Sequence, residues 1–272
     1  MCNLTARKLK QKGAQIWIER GSRHIISQKE ILNQIHNERP IPDWIIRREL
    51  IDYELADVIV IPSQHVEDSF VAEHVPKEKL FRNPYGVDLK MFPSTVAPNN
   101  RQKIVLFVGT WSLQKGCDIL WKACETSCSW KLMHVGPIGD APVPVSEYFE
   151  HIDPVPQWKL IEYFGKADVF ALASRQEGLA LVQAQALSAG LPLICTDRTG
   201  GEDLRNLLPN KKWVTVVPHD SEELLSQAID VAIEQSTLTF GLRDILGPAK
   251  DCLSWSAYGR RYSSEISERQ SR

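Results

Sequence analysis

The sequence predicts an α/β fold built on parallel sheets. Short apolar runs, such as 103–109 and 168–174, alternate with segments of helical periodicity, the order of strand–helix–strand crossovers. The runs are apolar on both faces, as strands covered by helices on either side must be. Glycines at 109, 178 and 200 follow such runs, where the chain turns from a strand end into a helix start.

The stretch 177–194 concentrates this pattern. Residues 168–174 read as a buried strand, 175–178 as a loop, and the residues to 189 as a nearly all-apolar helix. Gly190 and Pro192 end that helix, and 191–196 is the next buried strand. The loop lies where open α/β sheets bind ligands, outside the carboxyl ends of the strands. The helix N-terminus offers unpaired N–H groups and a partial positive charge to an anion. Glu177 stands just before the helix and Gln185 inside it, about 12 Å apart along the axis and on nearly the same side. That span suits two ends of one elongated ligand. The competing reading is a carboxylate at a helix start and a glutamine bonded within the core.

In chain order, residues 3–12 read as a helix stopped by Gly13, 14–19 as a strand and 20–24 as a loop. Ser27 with Glu30 suggests a capping box for a helix to about residue 36. Asp43 caps another, with Ile46, Leu50 and Tyr53 on one face. Residues 58–61 form a short strand, Pro62 and Ser63 open a helix that stops before Pro76, and 81–88 is a strand and turn. The stretch 96–100 is the best linker, which divides the chain into domains 1–95 and 96–272. The second domain opens with strand 103–109, loop 110–114, a helix from Lys115 to about Cys128 and strand 130–135. A proline-rich loop leads to helix 157–164. Past the central unit, Thr199 to Asp203 starts a helix, 213–217 is a strand, and Ser221 caps a helix to about 234. Trp255, Tyr258, Tyr262 and Ile266 mark one face of a terminal helix.

Lysine and arginine total 32 against 34 aspartate and glutamate, so charge gives no case for nucleic acid binding. No apolar run reaches the roughly 18 residues of a membrane span, and the start lacks a signal-peptide core. A cytoplasmic location is expected. Arg7, Lys8, Lys10 and Lys12 would either meet anionic lipid at the inner membrane surface or form a solvated helix face. The six cysteines lack metal-ligand spacing; Cys117, Cys124 and Cys128 fall at helical spacing as small core residues.

Glu177-Gly178-Leu179 with Gly190, Pro192 and Ile194 resembles the signature of the retaining glycosyltransferases of family 4, which have the GT-B fold. ADVIVIPS at 56–63, PYGVD at 84–88, FVG at 107–109 with Lys115-Gly116, and TGGED at 199–203 resemble further family stretches in the same order. The resemblance implies two Rossmann-like parallel-sheet domains. Residues 1–95 would be an incomplete acceptor-side domain with three strands, and 96–272 a donor-binding domain with about six. Glu177 would contact the donor sugar and Lys115 the diphosphate. Gln185 stands where the family has a second acidic residue and would face the ribose. Thr110 stands where the family has an arginine. Gly109, Gly178, Leu179, Gly200 and Gly201 would add donor contacts, the base would lie near 151–157, and His24 is the nearest match to the family's catalytic histidine. The other histidines carry no constellation. No metal or cofactor is implied; the partners are a nucleotide sugar and a glycan or lipid acceptor. The expected function is sugar transfer with retention of configuration. Thr110, Gln185 and the short first domain favour the alternative, a non-catalytic or truncated sugar-nucleotide-binding remnant. A dinucleotide oxidoreductase shares the strand–helix pattern, but neither 109–116 nor 136–139 supplies the required Gly-x-Gly-x-x-Gly.

Overall fold

In the computed structural model the described residues are 3–35, 41–99, 102–237 and 241–271. The first lobe runs α1 (Asn3–Gln11), β1 (Trp17–Glu19), α2 (Ile25–Gln34), α3 (Asp43–Leu55), β2 (Val58–Ile61), α4 (Gln64–Ala72) and β3 (Leu80–Arg82). Its three strands pair in parallel in the order β1-β2-β3. All four residues of β2 are buried, because α-helices cover both faces of the central strand. Ile25, Tyr53, Ile59, Ile61, Val66 and Phe70 form the heart of this lobe's core.

The second lobe runs β4 (Lys103–Val108), α5 (Cys117–Ser127), β5 (Trp130–Val135), β6 (Phe149–Ile152), α6 (Leu160–Lys166), β7 (Val169–Leu172), α7 (Leu181–Ser188), β8 (Leu193–Thr196), α8 (Gly201–Leu207), β9 (Val214–Val217), α9 (Glu222–Thr237) and α10 (Trp255–Gln270). The six strands are parallel, in the order β6-β5-β4-β7-β8-β9. The chain builds outward from β4 through β5 to β6, then returns to β7 and builds the other way. The switch point between β4 and β7 is where such sheets open a ligand crevice.

Several elements differ from the sequence expectation. The α2 cap is His24, whose Nδ1 accepts from the Ile26 amide; Ser27 lies inside the helix. The expected end of that helix at residue 36 lies outside the described residues. Asp43 is the first residue of α3, and the cap position before it is Pro42, which makes no side-chain bond. The α5 helix starts at Cys117, so Lys115 belongs to the preceding turn. Cys128 ends α5 in a left-handed conformation and is exposed, whereas Cys117 and Cys124 are buried. Lys10 is not free for lipid: its ammonium binds Asp57 at 2.7 Å and the Leu55 carbonyl at 2.9 Å. The β6 strand was not anticipated. Edge strands need no continuous apolar run, and its half-exposed Phe-Glu-His-Ile carries none.

The segment leading out of the first lobe is tied down. Thr95 donates to the Ala189 carbonyl, and Val96 bridges Leu242 in antiparallel fashion. The α10 helix returns from the second lobe to the first. Tyr258 donates to Glu19 at 2.9 Å, Tyr262 stacks on Trp17 with centroids 5.5 Å apart, and Arg261 donates to Asn83 at 2.7 Å.

Candidate functional site

Two loops meet at the switch point, one after β4 and one after β7. Gly116 has φ +66°, and a Cβ there would lie 2.0 Å from the Ala173 carbonyl oxygen, so only glycine allows the approach. The approach brings Lys115 Nζ onto Glu177 Oε1 as an ion pair. Burial lowers the proton affinity of the Lys115 ammonium. Directly after Glu177 comes the start of α7. Ala180 caps it without a side-chain bond; the Gln183 amide bonds back to the Ala180 carbonyl, and the Leu181 and Val182 amides remain available to an anion.

Leu179 is buried, and its side chain lies against Gly200. Gly200 presses on the opposite side: a Cβ there would lie 2.9 Å from the Gly178 carbonyl oxygen. Gly201 opens α8 against the sulfur of Cys195, behind the loop. The Gly109 carbonyl is held by His134 Nε2 at 2.8 Å. His134 Nδ1 lies 2.9 Å from His151 Nδ1, and burial, the largest cause, drives the His134 pKa down to about 4. With Nε2–H committed to Gly109, neutral His134 accepts from His151. Thr110 is exposed and brings no charge to this edge.

The first lobe grips the Glu177 loop directly. A Cβ on Gly178 would lie 1.9 Å from the Gly21 carbonyl oxygen, so the two backbones touch. Ser63 Oγ donates to the Gly178 carbonyl at 2.8 Å, and His65 Nε2 donates to the Glu177 carbonyl at 3.0 Å. Gln176 donates to Ser22 at 2.6 Å, and Asp203 accepts the Gln64 amide at 2.9 Å. Burial, then Arg23 and Arg198, lower the His65 pKa to about 3, so its imidazole is neutral, and its Nδ1, 3.0 Å from Ser63 Oγ, competes with the Gly178 carbonyl for the single hydroxyl proton. His65 was missed in the sequence. Its signal was its place just beyond the carboxyl end of a buried strand, the same rule that singled out Glu177.

The structure does not bring the remaining sequence candidates to this group. His24 is buried in the first lobe, with ring centroids 5.0 Å from both Tyr53 and Phe70, and burial lowers its pKa to about 4. It lines a separate cavity with Leu50 and Lys79, away from the Glu177 loop. Gln185 is buried and lines a cavity of about 240 Å³ with Gly86, Asp88, Gln157 and Trp255; Glu177 is not part of that lining. The expected shared side for Glu177 and Gln185 fails because α7 starts only at Leu181, leaving Glu177 in the loop. Gln157, from the stretch expected near the base, does reach the Gln185 cavity. Among the described residues no group of three or more His, Cys, Asp or Glu gathers to hold a metal ion. No helix among them is long and apolar enough to cross a membrane.

Two parallel α/β lobes joined in this way, with loops meeting at the carboxyl ends of the strands, form the GT-B architecture. Sucrose-phosphate synthase from Thermosynechococcus elongatus superposes with a TM-score of 0.71 at 18% identity, covering 99% of this chain and 71% of that one. HepE from Anabaena, solved in complex with UDP, gives 0.73 at 13% identity, with coverages of 98% and 76%. Residues 102–235 match the family model described as Glycosyl transferases group 1. The amylovoran biosynthesis glycosyltransferase AmsD of Erwinia amylovora is 28% identical over 207 residues, which are 68% of this chain and 55% of AmsD. The chain thus spans about half the length of that relative.

Proposed function

We propose that this chain binds a nucleotide-sugar donor in the second lobe and transfers the sugar, with retention of configuration, to a glycan or lipid acceptor approached from the first lobe, residues 1–95. The observation that carries this reading is the meeting of Lys115 and Glu177 at the uncapped start of α7. Transfer requires the leaving diphosphate to be stabilised as its charge grows. Lys115 supplies a compact positive charge and the α7 N-terminus supplies neutral donors. With the donor bound, the diphosphate takes Lys115, and Glu177 turns its carboxylate to the sugar hydroxyls. Gln185, with Gln157, faces the ribose and base through the second cavity. His65, rather than His24, is the first-lobe histidine at this point. HepE has been solved with UDP and with UDP-glucose, which supports a nucleoside diphosphate sugar as the donor class.

A second reading, donor binding without turnover, is favoured by the uncharged Thr110 and Gln185. The test is incubation of the purified chain with a set of nucleotide sugars, following donor loss and the anomeric configuration of product by NMR. Retained configuration supports transfer, and binding without donor loss supports the second reading. Failure of every nucleotide sugar to bind would sink both. Exposed Leu4 and Leu9 beside Arg7, Lys8 and Lys12 make α1 the surface for peripheral contact with anionic lipid, checked by vesicle sedimentation.

A further inference from the structure

The α4 helix starts where the two lobes meet, and the second lobe completes its first turn. Ser63 stands at the cap position but makes no cap bond with its side chain. A serine there ordinarily lends its oxygen to a first-turn N–H group. Here Ser63 Oγ donates to the Gly178 carbonyl at 2.8 Å instead. The Gln64 amide is answered by Asp203 Oδ2 at 2.9 Å, a carboxylate of α8. A helix of one lobe is thus capped by a side chain of the other. His65, next in the chain, reaches the Glu177 carbonyl at 3.0 Å. Ser63, Gln64 and His65, three consecutive residues, each bond the second lobe.

Asp203 is held in place for this contact. It is buried in the first turn of α8, and Gly200, directly before that helix, packs on the Gly178 carbonyl, so α8 is seated on the donor loop. Arg82, at the end of β3, supplies the counter-charge. Its Nη1 lies 3.6 Å from Asp203 Oδ1, and its Nε lies 3.8 Å from Glu67, a second buried carboxylate, on α4. Nη1 also meets the Gln64 side-chain oxygen, and Lys77 pairs with Glu67 at 3.1 Å. One arginine therefore joins two shielded carboxylates that come from different lobes. Without it, two like charges would remain in a shielded space at the boundary. Burial, the largest cause, raises the Asp203 pKa to about 6, with the Gln64 amide and Arg82 opposing the rise and Glu202 and Glu67 adding to it.

We propose that Asp203 is a positioning residue, which docks α4 on the donor loop and so holds the first lobe in register with Glu177 for transfer. The docking stands on these contacts alone; its service to transfer rests on the glycosyltransferase reading. On that reading a nucleoside diphosphate meets Lys115 and the start of α7, both in the second lobe, so its binding does not need the Asp203 contact. Transfer does need it, because the acceptor approaches from the first lobe. A misplacement of about 1 Å, caused far from the chemistry, can cost about a hundredfold in rate.

The test compares the full chain with Asp203→Ala, Asp203→Asn, Arg82→Gln and the double variant Arg82→Gln/Asp203→Asn. The readouts are hydrogen exchange, calorimetry with UDP, and turnover of whichever nucleotide sugar the unaltered chain consumes; thermal unfolding confirms that each variant is folded. Asp203→Ala should speed exchange in residues 63–67 by about tenfold and lower kcat by about tenfold to a hundredfold, with UDP affinity within about twofold. Asp203→Asn keeps an oxygen for the Gln64 amide and should recover most of both losses. Arg82→Gln should loosen the same residues, and the double variant, in which one of the two opposed charges is gone, should be tighter than Arg82→Gln alone. Unchanged exchange at 63–67 in Asp203→Ala overturns the docking. Faster exchange with an unchanged kcat overturns the positioning role, as does a loss of UDP binding as large as the loss of kcat, which would mark general damage to the site. Absence of turnover in the unaltered chain counts against the glycosyltransferase reading and takes the positioning role with it, while exchange still decides the docking.

Discussion

Lys115 and Glu177 come from loops that the sequence separates widely, and each neutralises the other in the ligand-free chain. Lys115→Ala should therefore weaken nucleoside diphosphate binding by about 1.5–3 kcal/mol, the worth of a charge-assisted contact, as read by calorimetry. Unchanged affinity in a folded variant would remove the phosphate role. His24 and His65 should separate cleanly. His24→Ala loses a helix cap and two ring contacts, so it should lower stability by about 1 kcal/mol or more while sparing nucleotide binding. His65→Ala frees the Glu177 carbonyl and should reduce sugar-dependent binding or transfer, with a smaller effect on the bare diphosphate. The reverse pattern in paired assays would restore His24 as the catalytic candidate. Gln185 shares its cavity with Asp88 and Gln157.

At the scale of elements, the site depends on loops that can touch. Gly178→Ala places a methyl group on the Gly21 backbone and should push the first-lobe loop away, at a cost of about 1–3 kcal/mol. Hydrogen exchange should show faster exchange in residues 20–23 and 63–65; unchanged protection would refute the clamp. Arg243 acts on the other side of the molecule. Its guanidinium donates to the Ala167 carbonyl at 2.6 Å, the Phe164 carbonyl at 2.8 Å and Thr95 Oγ1 at 3.1 Å, binding the end of α6 to the segment that joins the lobes. Burial lowers its pKa to about 10 without discharging it at neutral pH.

For the whole molecule, three shielded histidines, His24 and His134 buried and His65 half-buried, should set the acid limit of stability. His24 and His134 have pKa values lowered to about 4 and His65 to about 3, from an ordinary 6.5. The unfolded chain therefore binds these protons first as pH falls. Their stabilisation is complete above about pH 6.5 and declines towards pH 4, by at most about 1.4 kcal/mol per pH unit for each residue. Asp203 opposes this. Burial raises its pKa to about 6, so its contribution improves as pH falls from about 6 to its unfolded value of 3.8. Three groups outweigh one, and urea unfolding at pH 5 should show a lower midpoint than at pH 7. A flat or rising profile would contradict the shielding of these histidines.

The sequence by itself determined the α/β class, the second sheet's central strands and the donor-loop candidates. These are encoded locally: continuous apolar runs mark strands buried on both faces, and glycines mark the strand ends where only small residues fit. Glu177, Gly178 and Lys115 stood out as candidates because each sits on such a boundary. The edge strand β6 was not legible, because a half-exposed strand has no composition of its own. Nor was His65, because its meaning lies in contact across lobes. Strand order, the touching of Gly21 and Gly178, and the return of α10 onto Trp17 and Glu19 are long-range events that no local pattern records. Tertiary structure decided which polar groups share a desolvated space. That choice set His65, and not His24, against the Glu177 loop and placed Gln185 in a separate cavity.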